Sequence, residues 1–333
     1  MLVFAQMHAT HLSNPLEQVK IMRIGNLLTM FATVCFLSVC FPTAEVYIHP
    51  WLDMVEGLAL GSFFLLLCDY VSPHSEQRDV FFATKRKNGI RWFKTRLFLI
   101  FQMPLVAFLV AIATTITQAV GVYCQWSNAP RFANIWLRVI LTVSLVSSVI
   151  AILQFYMLLK VDLAKHRPLA KLTAFKLVVG LTLLQEVVFM ILTTQDVLGE
   201  SRTLTYADVH IGIPNLLICI ELIPFSLFFV WAYPWSVYKD GDGRGNFSKL
   251  DQAVKPTNAY QGGPFGIRAW LAMLNPSDNL RAIAFVVSQS SRPRRSRVAV
   301  GSYGSQEVLY SNSYQMPSQE PSRETRDGYL QHA

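Results

Sequence analysis

The chain has 333 residues, of which 52% are hydrophobic and 15% charged, with a formal net charge of +8. Soluble domains carry about 25% charged residues, so the deficit argues against a soluble enzyme. It also argues against a disordered chain or a nucleic-acid binder with a dispersed basic surface. The apolar residues gather in blocks and the charges sit between them.

A helix needs about 20 mostly apolar residues to cross the hydrocarbon of a bilayer. Residues 1–12 are apolar but reach only about 18 Å as a helix. They fit either the end of a spanning helix or a segment lying at the interface. Six full blocks follow, at 24–41, 52–71, 97–122, 133–159, 172–192 and 211–233. The first lacks a small-residue cleavage site and is followed by five more, so a cleaved leader is not expected. The expected fold class is all-α, a polytopic membrane helix bundle over residues 1–238.

The connections alternate in basic residues. Those at 13–23 carry Lys20 and Arg23, and 42–51 carries none. Seven fall in 72–96, one in 123–132, four in 160–171, one in 193–210 and twelve after Tyr233. Lys and Arg mark the cytosolic side. This predicts cytosolic placement for 13–23, 72–96, 160–171 and the C-terminal tail, so the positive charge reports orientation. The membrane is expected to be the plasma membrane or a vacuolar or endosomal one.

The tail divides in two. Residues 239–290 read as a linker followed by two short amphipathic helices, interrupted by Asn275-Pro276. These are expected either on the membrane surface or against the protein's own cytosolic loops. Residues 291–333, rich in Ser, Arg, Gln, Tyr and Pro, read as disordered.

No cofactor or metal is expected. The five cysteines form no C-x-x-C pair, and no two histidines have metal-ligand spacing on one helix. Asp240-Gly-Asp242-Gly-Arg244-Gly245 resembles a calcium loop only superficially, since Arg244 occupies a ligand position. No hydrolase, zinc-peptidase or phosphate-loop pattern occurs, and the chain is not expected to be an enzyme. Gly57-x-x-x-Gly61 suits close helix packing.

Charges inside spans are costly, which makes each a functional candidate. At about 1.5 Å per residue, Asp69 and Lys176 lie at one depth near the inner face. Arg138 lies near the outer face, level with Glu56 and Glu186. These are the candidate intramembrane pairs, with snorkelling of Asp69 and Lys176 to the interface as the alternative. Asp53 reads as a cap at a helix start. Glu221 falls near the midplane with no partner at its level, with Asn215 and Gln185 on the polar side of their spans. Glu56, Gln185, Asn215 and Glu221 are read as lining a polar path.

At these positions the chain resembles the organic solute transporter alpha family, which includes the transmembrane protein 184 group. The resemblance rests on five segments in order. They are Pro15-Leu-Glu-Gln18-Val-Lys-Ile-Met-Arg23-Ile24; Pro50-Trp-Leu-Asp53-Met-Val-Glu56 with Phe63-Phe-Leu-Leu-Leu-Cys-Asp69-Tyr70; Pro168-Leu-Ala-Lys171-Leu-Thr-Ala-Phe-Lys176 with Gln185; Asn215-Leu-Leu-Ile-Cys-Ile-Glu221; and Tyr233-Pro-Trp-Ser-Val-Tyr238. Leu274-Asn275-Pro276-Ser-Asp278 resembles an element of some members' tails. The chain departs from the pattern at Leu52, where the family has Arg, and at Ser277, where it has Trp. It also lacks the cysteine-rich stretch of the animal bile-acid transporting subunit.

The resemblance implies seven helices with the C-terminus in the cytosol, and residues 1–12 as the remnant of the first. It implies facilitated transport of amphipathic organic anions or lipids, with Lys176 attracting the anionic group near the cytosolic mouth of the path. The alternative is a non-transporting organiser or receptor-like protein of an internal, vacuole-like membrane. Expected partners are membrane lipids, a small amphipathic anion, and a second copy or a partner subunit, with no nucleic acid.

Overall fold

The computed structural model describes residues 1–72, 75–125, 129–163, 207–238 and 260–290. Single positions are described at 173, 180, 184, 185, 188, 189, 191, 192 and 205. Among the described residues every regular element is helical. Lipid offers no partner to a backbone N–H or C=O, so a spanning segment must satisfy its own backbone. In chain order the helices are α1 (Leu2–Thr10), α2 (Pro15–Cys40), α3 (Glu45–Val71), α4 (Ser75–Lys85), α5 (Gly89–Ala119), α6 (Ala133–Leu163), α7 (Ile213–Ala232), α8 (Ile267–Leu274) and α9 (Ser277–Ser290). Five segments are long and apolar enough to span: α2, α3 with its leading turn, α5, α6, and α7 with the turn before it. The apolar block 172–192 lies mostly outside the described residues, and its described positions are helical. So do the linker at 239–259 and the stretch 291–333. Residues Met1–Gln289 form one compact unit.

Proline sets several boundaries. Pro15 opens α2, where its missing N–H costs nothing, and Pro42 opens the short 3-10 turn into α3. Ser72 is extended at φ −160° and ends α3, as expected for a residue before a proline. Pro50 does not stop α3. It sits inside the helix, a placement that neighbouring helices allow within a membrane. Asp53 is therefore two turns inside α3 and does not cap its start. The capping expectation began the helix with the apolar block at Leu52, whereas α3 begins at Glu45.

The bundle packs in sequence order, α2 on α3, α3 on α5 and α5 on α6, with α7 returning to α2. Gly57 and Gly61 make the α3–α5 approach. A Cβ on Gly57 would stand 2.4 Å from Met103 Sδ and 2.9 Å from Pro104 Cα, and one on Gly61 would stand 2.8 Å from Phe101 Cε1. The expected close packing at these two glycines is thus present. Gly57→Ala is expected to destabilise by about 1–3 kcal/mol, because backbone must move. Gly61→Ala should cost less, since only a ring must turn. Thermal unfolding of the solubilised protein checks the order, and equal midpoints for both variants would contradict it.

The ends of the bundle differ. At one end α2 starts, α3 ends, α5 starts and α6 ends, with α4 bridging between α3 and α5. We call it the basic end, because most of the cations gather there. Aromatic rings fill the core near it. Phe82 of α4 stacks on Phe93 with centroids 4.5 Å apart, and Phe155 meets Phe64 edge-on at 4.8 Å. At the other end Gln125 Nε2 donates to Glu45 at 2.6 Å and Asn134 Nδ2 donates to the Gln125 carbonyl at 3.0 Å. These bonds tie the α5–α6 connection to the start of α3.

The tail helices neither lie free on a surface nor rest only on loops. The Ala269 and Met273 side of α8 packs on Ala5 and Ala9 of α1 and on Val19 and Met22 of α2. α9 buries Ala282 in the main core. Asn279 donates to Ser62 Oγ and to the Leu58 carbonyl of α3, both at 3.1 Å. Asn275, extended before Pro276, turns the chain between them, and its side chain accepts from the Ser277 N–H at 3.0 Å. The opposite side of α8 leaves Ile267, Leu271 and Leu274 more than half exposed. Docking is therefore carried by one side of the helix, and the opposite side leaves its apolar residues exposed.

Candidate functional site

Two polar layers cross the bundle, one at mid-span and one at the basic end. The mid-span layer centres on Glu221, near the middle of α7. A π-turn at Asp208–Gly212 precedes α7, and Pro224 lies within it. Pro224 cannot donate to the Ile220 carbonyl, which leaves an acceptor beside Glu221. Widened turns of this kind recur at functional sites. Gln185, buried and in the block 172–192, donates its amide to the Glu221 carboxylate. Two helices are thereby joined at mid-span by a side-chain bond. Cys35 of α2 and Cys219 of α7 are hydrogen-bonded two residues away, which sets α7 against α2 at this level.

The other expected path residues are placed differently. Asn215 turns back on its own helix and donates to the Ile211 carbonyl at 2.9 Å. Glu56 is buried on α3, next to the Gly57 contact with α5. The helices of Glu56 and Glu221 both pack on α2. Lys176 lies outside the described residues, as does Glu186.

Arg138 is exposed on α6, and among the described residues no carboxylate lies within salt-bridge distance of it. It is close enough to Tyr123 to act on that phenol. Burial pushes the Tyr123 phenol above its ordinary value, and Arg138 pulls it the other way. Depth along the helix matched Arg138 with Glu56. Azimuth separates them, because one side chain points outward and the other into the bundle.

Asp69 is paired among the described residues, whereas Lys176, its expected partner, lies outside them. Lys20 of α2 bonds one carboxylate oxygen, and Arg78 of α4 bonds the other at 3.1 Å. One turn away Tyr70 donates to Glu17 at 2.6 Å, and Tyr238 bonds the same carboxylate. Burial holds the Tyr238 phenol well above its usual range, with Glu17 adding to the effect. Deeper still, Arg23 clamps the tail. Its Nη1 meets Asp278 at 3.0 Å, and its other nitrogens donate to the carbonyls of Met273, Ala272 and Asn275.

In the sequence Lys20 and Arg23 stand out as orientation signals and as part of the first family-like segment. Their spacing carried more. Glu17, Lys20 and Arg23 recur every three residues, which puts them on neighbouring turns of one helix face. A charged face on a spanning helix requires partners inside the bundle. Asn279 had no comparable signal, since its acceptors lie more than two hundred positions away in the chain.

Comparison with known proteins bears on the whole arrangement. The family described as "Organic solute transporter Ostalpha" matches residues 1–238, which ends at Tyr238 of the Glu17 cluster. The chain is similar to the vacuole membrane protein hfl11 of Schizosaccharomyces pombe, 24% identical over 67% of this chain and 56% of that protein. It is similar to a transmembrane protein 184 homolog of Dictyostelium discoideum, 24% identical over 69% and 48%. Protein LAZ1 of Arabidopsis thaliana is 24% identical over 69% and 54%. The chain thus spans about half the length of these relatives. No solved structure matches it. With a helical bundle, the mid-span polar pair and a family match over most of its length, the chain belongs to the organic solute transporter Ostalpha family.

Proposed function

We propose that the protein moves amphipathic organic anions or lipids across its membrane by facilitated diffusion. The observation that supports this most is the Gln185–Glu221 bond, a polar contact between two helices at mid-span beside a proline. Polar groups at that depth are expensive, and where they occur they mark substrate or ion paths. Glu221 and Gln185 line the path. Glu56 and Asn215 are assigned to it from their depth. Lys176 takes the anionic head of the substrate where the path meets the basic end. In this reading the basic end and the tail face the cytosol, and the chemistry is passage without bond breakage.

The test is flux of a steroid-like anion into liposomes containing the purified protein. Lys176→Ala is expected to lower flux roughly tenfold or more, the loss of one charge-assisted hydrogen bond. Glu221→Ala should also lower it, by widening an unpaired polar gap at Gln185. Flux by the parent protein with unchanged flux in both variants would remove the residue assignment. No flux by the parent protein at all would remove the transport reading.

A second reading is favoured by the docked tail helices and by the relative described as a vacuole membrane protein. In it the protein organises an internal, vacuole-like membrane without transporting. Removing residues 262–333 would then abolish function, while transport would persist in such a truncation.

A further inference from the structure

The cations at the basic end fall into two groups. Lys20, Arg23, Arg78 and Lys85 each meet a carboxylate. Arg86, Lys87, Arg91, Lys94 and Arg96 follow directly in sequence, and none of them has a carboxylate within salt-bridge distance among the described residues. Two of these five are fixed in place. The Arg86 guanidinium lies 5.8 Å from the centre of the Trp92 ring and that of Arg96 lies 5.3 Å from it. Two positive groups therefore gather at one indole with no negative group to separate them. Arg96 Nε is also buried without a hydrogen-bond partner.

The backbone holds this arrangement. Asn88 is left-handed at φ +63° and the Gly89 N–H donates to the Arg86 carbonyl at 2.9 Å. A Cβ on Gly89 would stand 1.7 Å from the Phe82 carbonyl oxygen, so only glycine lets the α4–α5 turn close. Phe82 stacked on Phe93 locks the turn from below.

Depth identifies what the pair would meet. α5 has 31 residues, about 46 Å at 1.5 Å per residue, against about 30 Å of hydrocarbon. Its apolar block begins at Leu97, so Arg96 sits at the hydrocarbon boundary and Trp92 about one turn beyond it. This is the level of lipid headgroups, where tryptophan is enriched. Val80 on the neighbouring α4 is 65% exposed, as expected of a helix lying against lipid. Guanidinium forks match phosphate oxygens in pairs, and cations at this level attract anionic lipid.

We propose that Arg86, Arg96 and Trp92 form a binding site for the phosphate of an anionic phospholipid headgroup in the leaflet at the basic end. Arg96 supplies the unpartnered Nε from inside. Arg86 closes from the turn, and the indole holds both against the boundary. The site does not depend on the transport reading.

The full chain is placed in phosphatidylcholine nanodiscs doped with phosphatidic acid, and retained lipid is counted by native mass spectrometry. Arg86→Gln with Arg96→Gln is expected to lower retained phosphatidic acid at least tenfold. Arg86→Gln alone, at an exposed position that leaves folding intact, should lower it by a smaller factor. Lys249→Gln with Lys255→Gln removes the same charge elsewhere and should leave retention unchanged. An equal loss in that control would reduce the effect to net charge and overturn the site. Unchanged retention in the Arg86→Gln variant would overturn it too. Displacement of the lipid by inorganic phosphate alone would show a soluble phosphate site and remove the lipid assignment.

Discussion

Replacing Arg23 with methionine is expected to release the segment 264–290 from the bundle. Arg23 is the central tie of the tail. It pairs with Asp278 at 3.0 Å and donates to three carbonyls around the Asn275-Pro276 turn. Both side chains are mostly buried, at 10% and 17% exposed. Methionine matches the aliphatic stem, so packing against α8 survives. The carboxylate and three carbonyls lose the guanidinium as a donor, and three of the four bonds lost are part-buried. Breaking a buried pair by removing one partner costs about 3–5 kcal/mol, more than the apolar side of a short helix returns. Lysine should not rescue, because a single ammonium cannot reproduce the fork toward four acceptors. Amide hydrogen exchange over 267–278 is the measurement. Protection should fall by two orders of magnitude or more in Arg23→Met, while α5 and α6 keep theirs. Parent-like protection would mean that the apolar contacts of Ala269, Met273 and Ala282 hold the tail by themselves. Asn279→Ala should act in the same direction more weakly, since it leaves one hydroxyl and one carbonyl unpaired.

Asp69→Asn is expected to destabilise the bundle itself. Asp69 joins three elements, with Lys20 on α2, Arg78 on α4 and its own place on α3. The cations are 8% and 12% exposed. Asparagine keeps the shape and one acceptor and removes the charge that bonds both. The expected loss is about 3–5 kcal/mol, near 10 °C in the melting midpoint on the scale of a mid-sized domain. The partner experiment removes the cation as well. Asp69→Leu with Lys20→Met should recover part of the loss, because an apolar pair of similar volume has no desolvation to offset. A midpoint in Asp69→Asn equal to the parent's would place the pair in water, with its energy near that of a surface bridge.

These two sites show where sequence reading ends. Their residues were visible, and Asp69 stood out as an ionisable group inside a span. Matching by depth assigned it Lys176. Among the described residues, which do not include Lys176, Lys20 and Arg78 bond it, because α2 and α4 flank α3 at the basic end. Depth is one coordinate, set by rise per residue. A contact also needs the azimuth of each side chain and the neighbour it faces. The same gap separates Arg138 from Glu56. Glu221 illustrates the converse. It had no partner at its own level, and Gln185, which depth alone put on the polar path, reaches it across helices.

The apolar blocks, the close glycine contact and the family were determined by the sequence alone. Each follows from local composition or from spacing within one helix, which hydrophobic thickness and helical period fix without knowledge of neighbours. The alternating basic loops likewise predict an orientation from composition alone. The tertiary structure decided which cations meet a carboxylate and which have none within salt-bridge distance among the described residues. It also decided that a tail segment more than two hundred residues away completes the basic end of α2 and α3. Those outcomes depend on which helices adjoin and how each is rotated, and a linear chain does not encode either one locally. The 15% of charged residues thus marked a membrane protein at once, but only the folded bundle divided them between ties and sites.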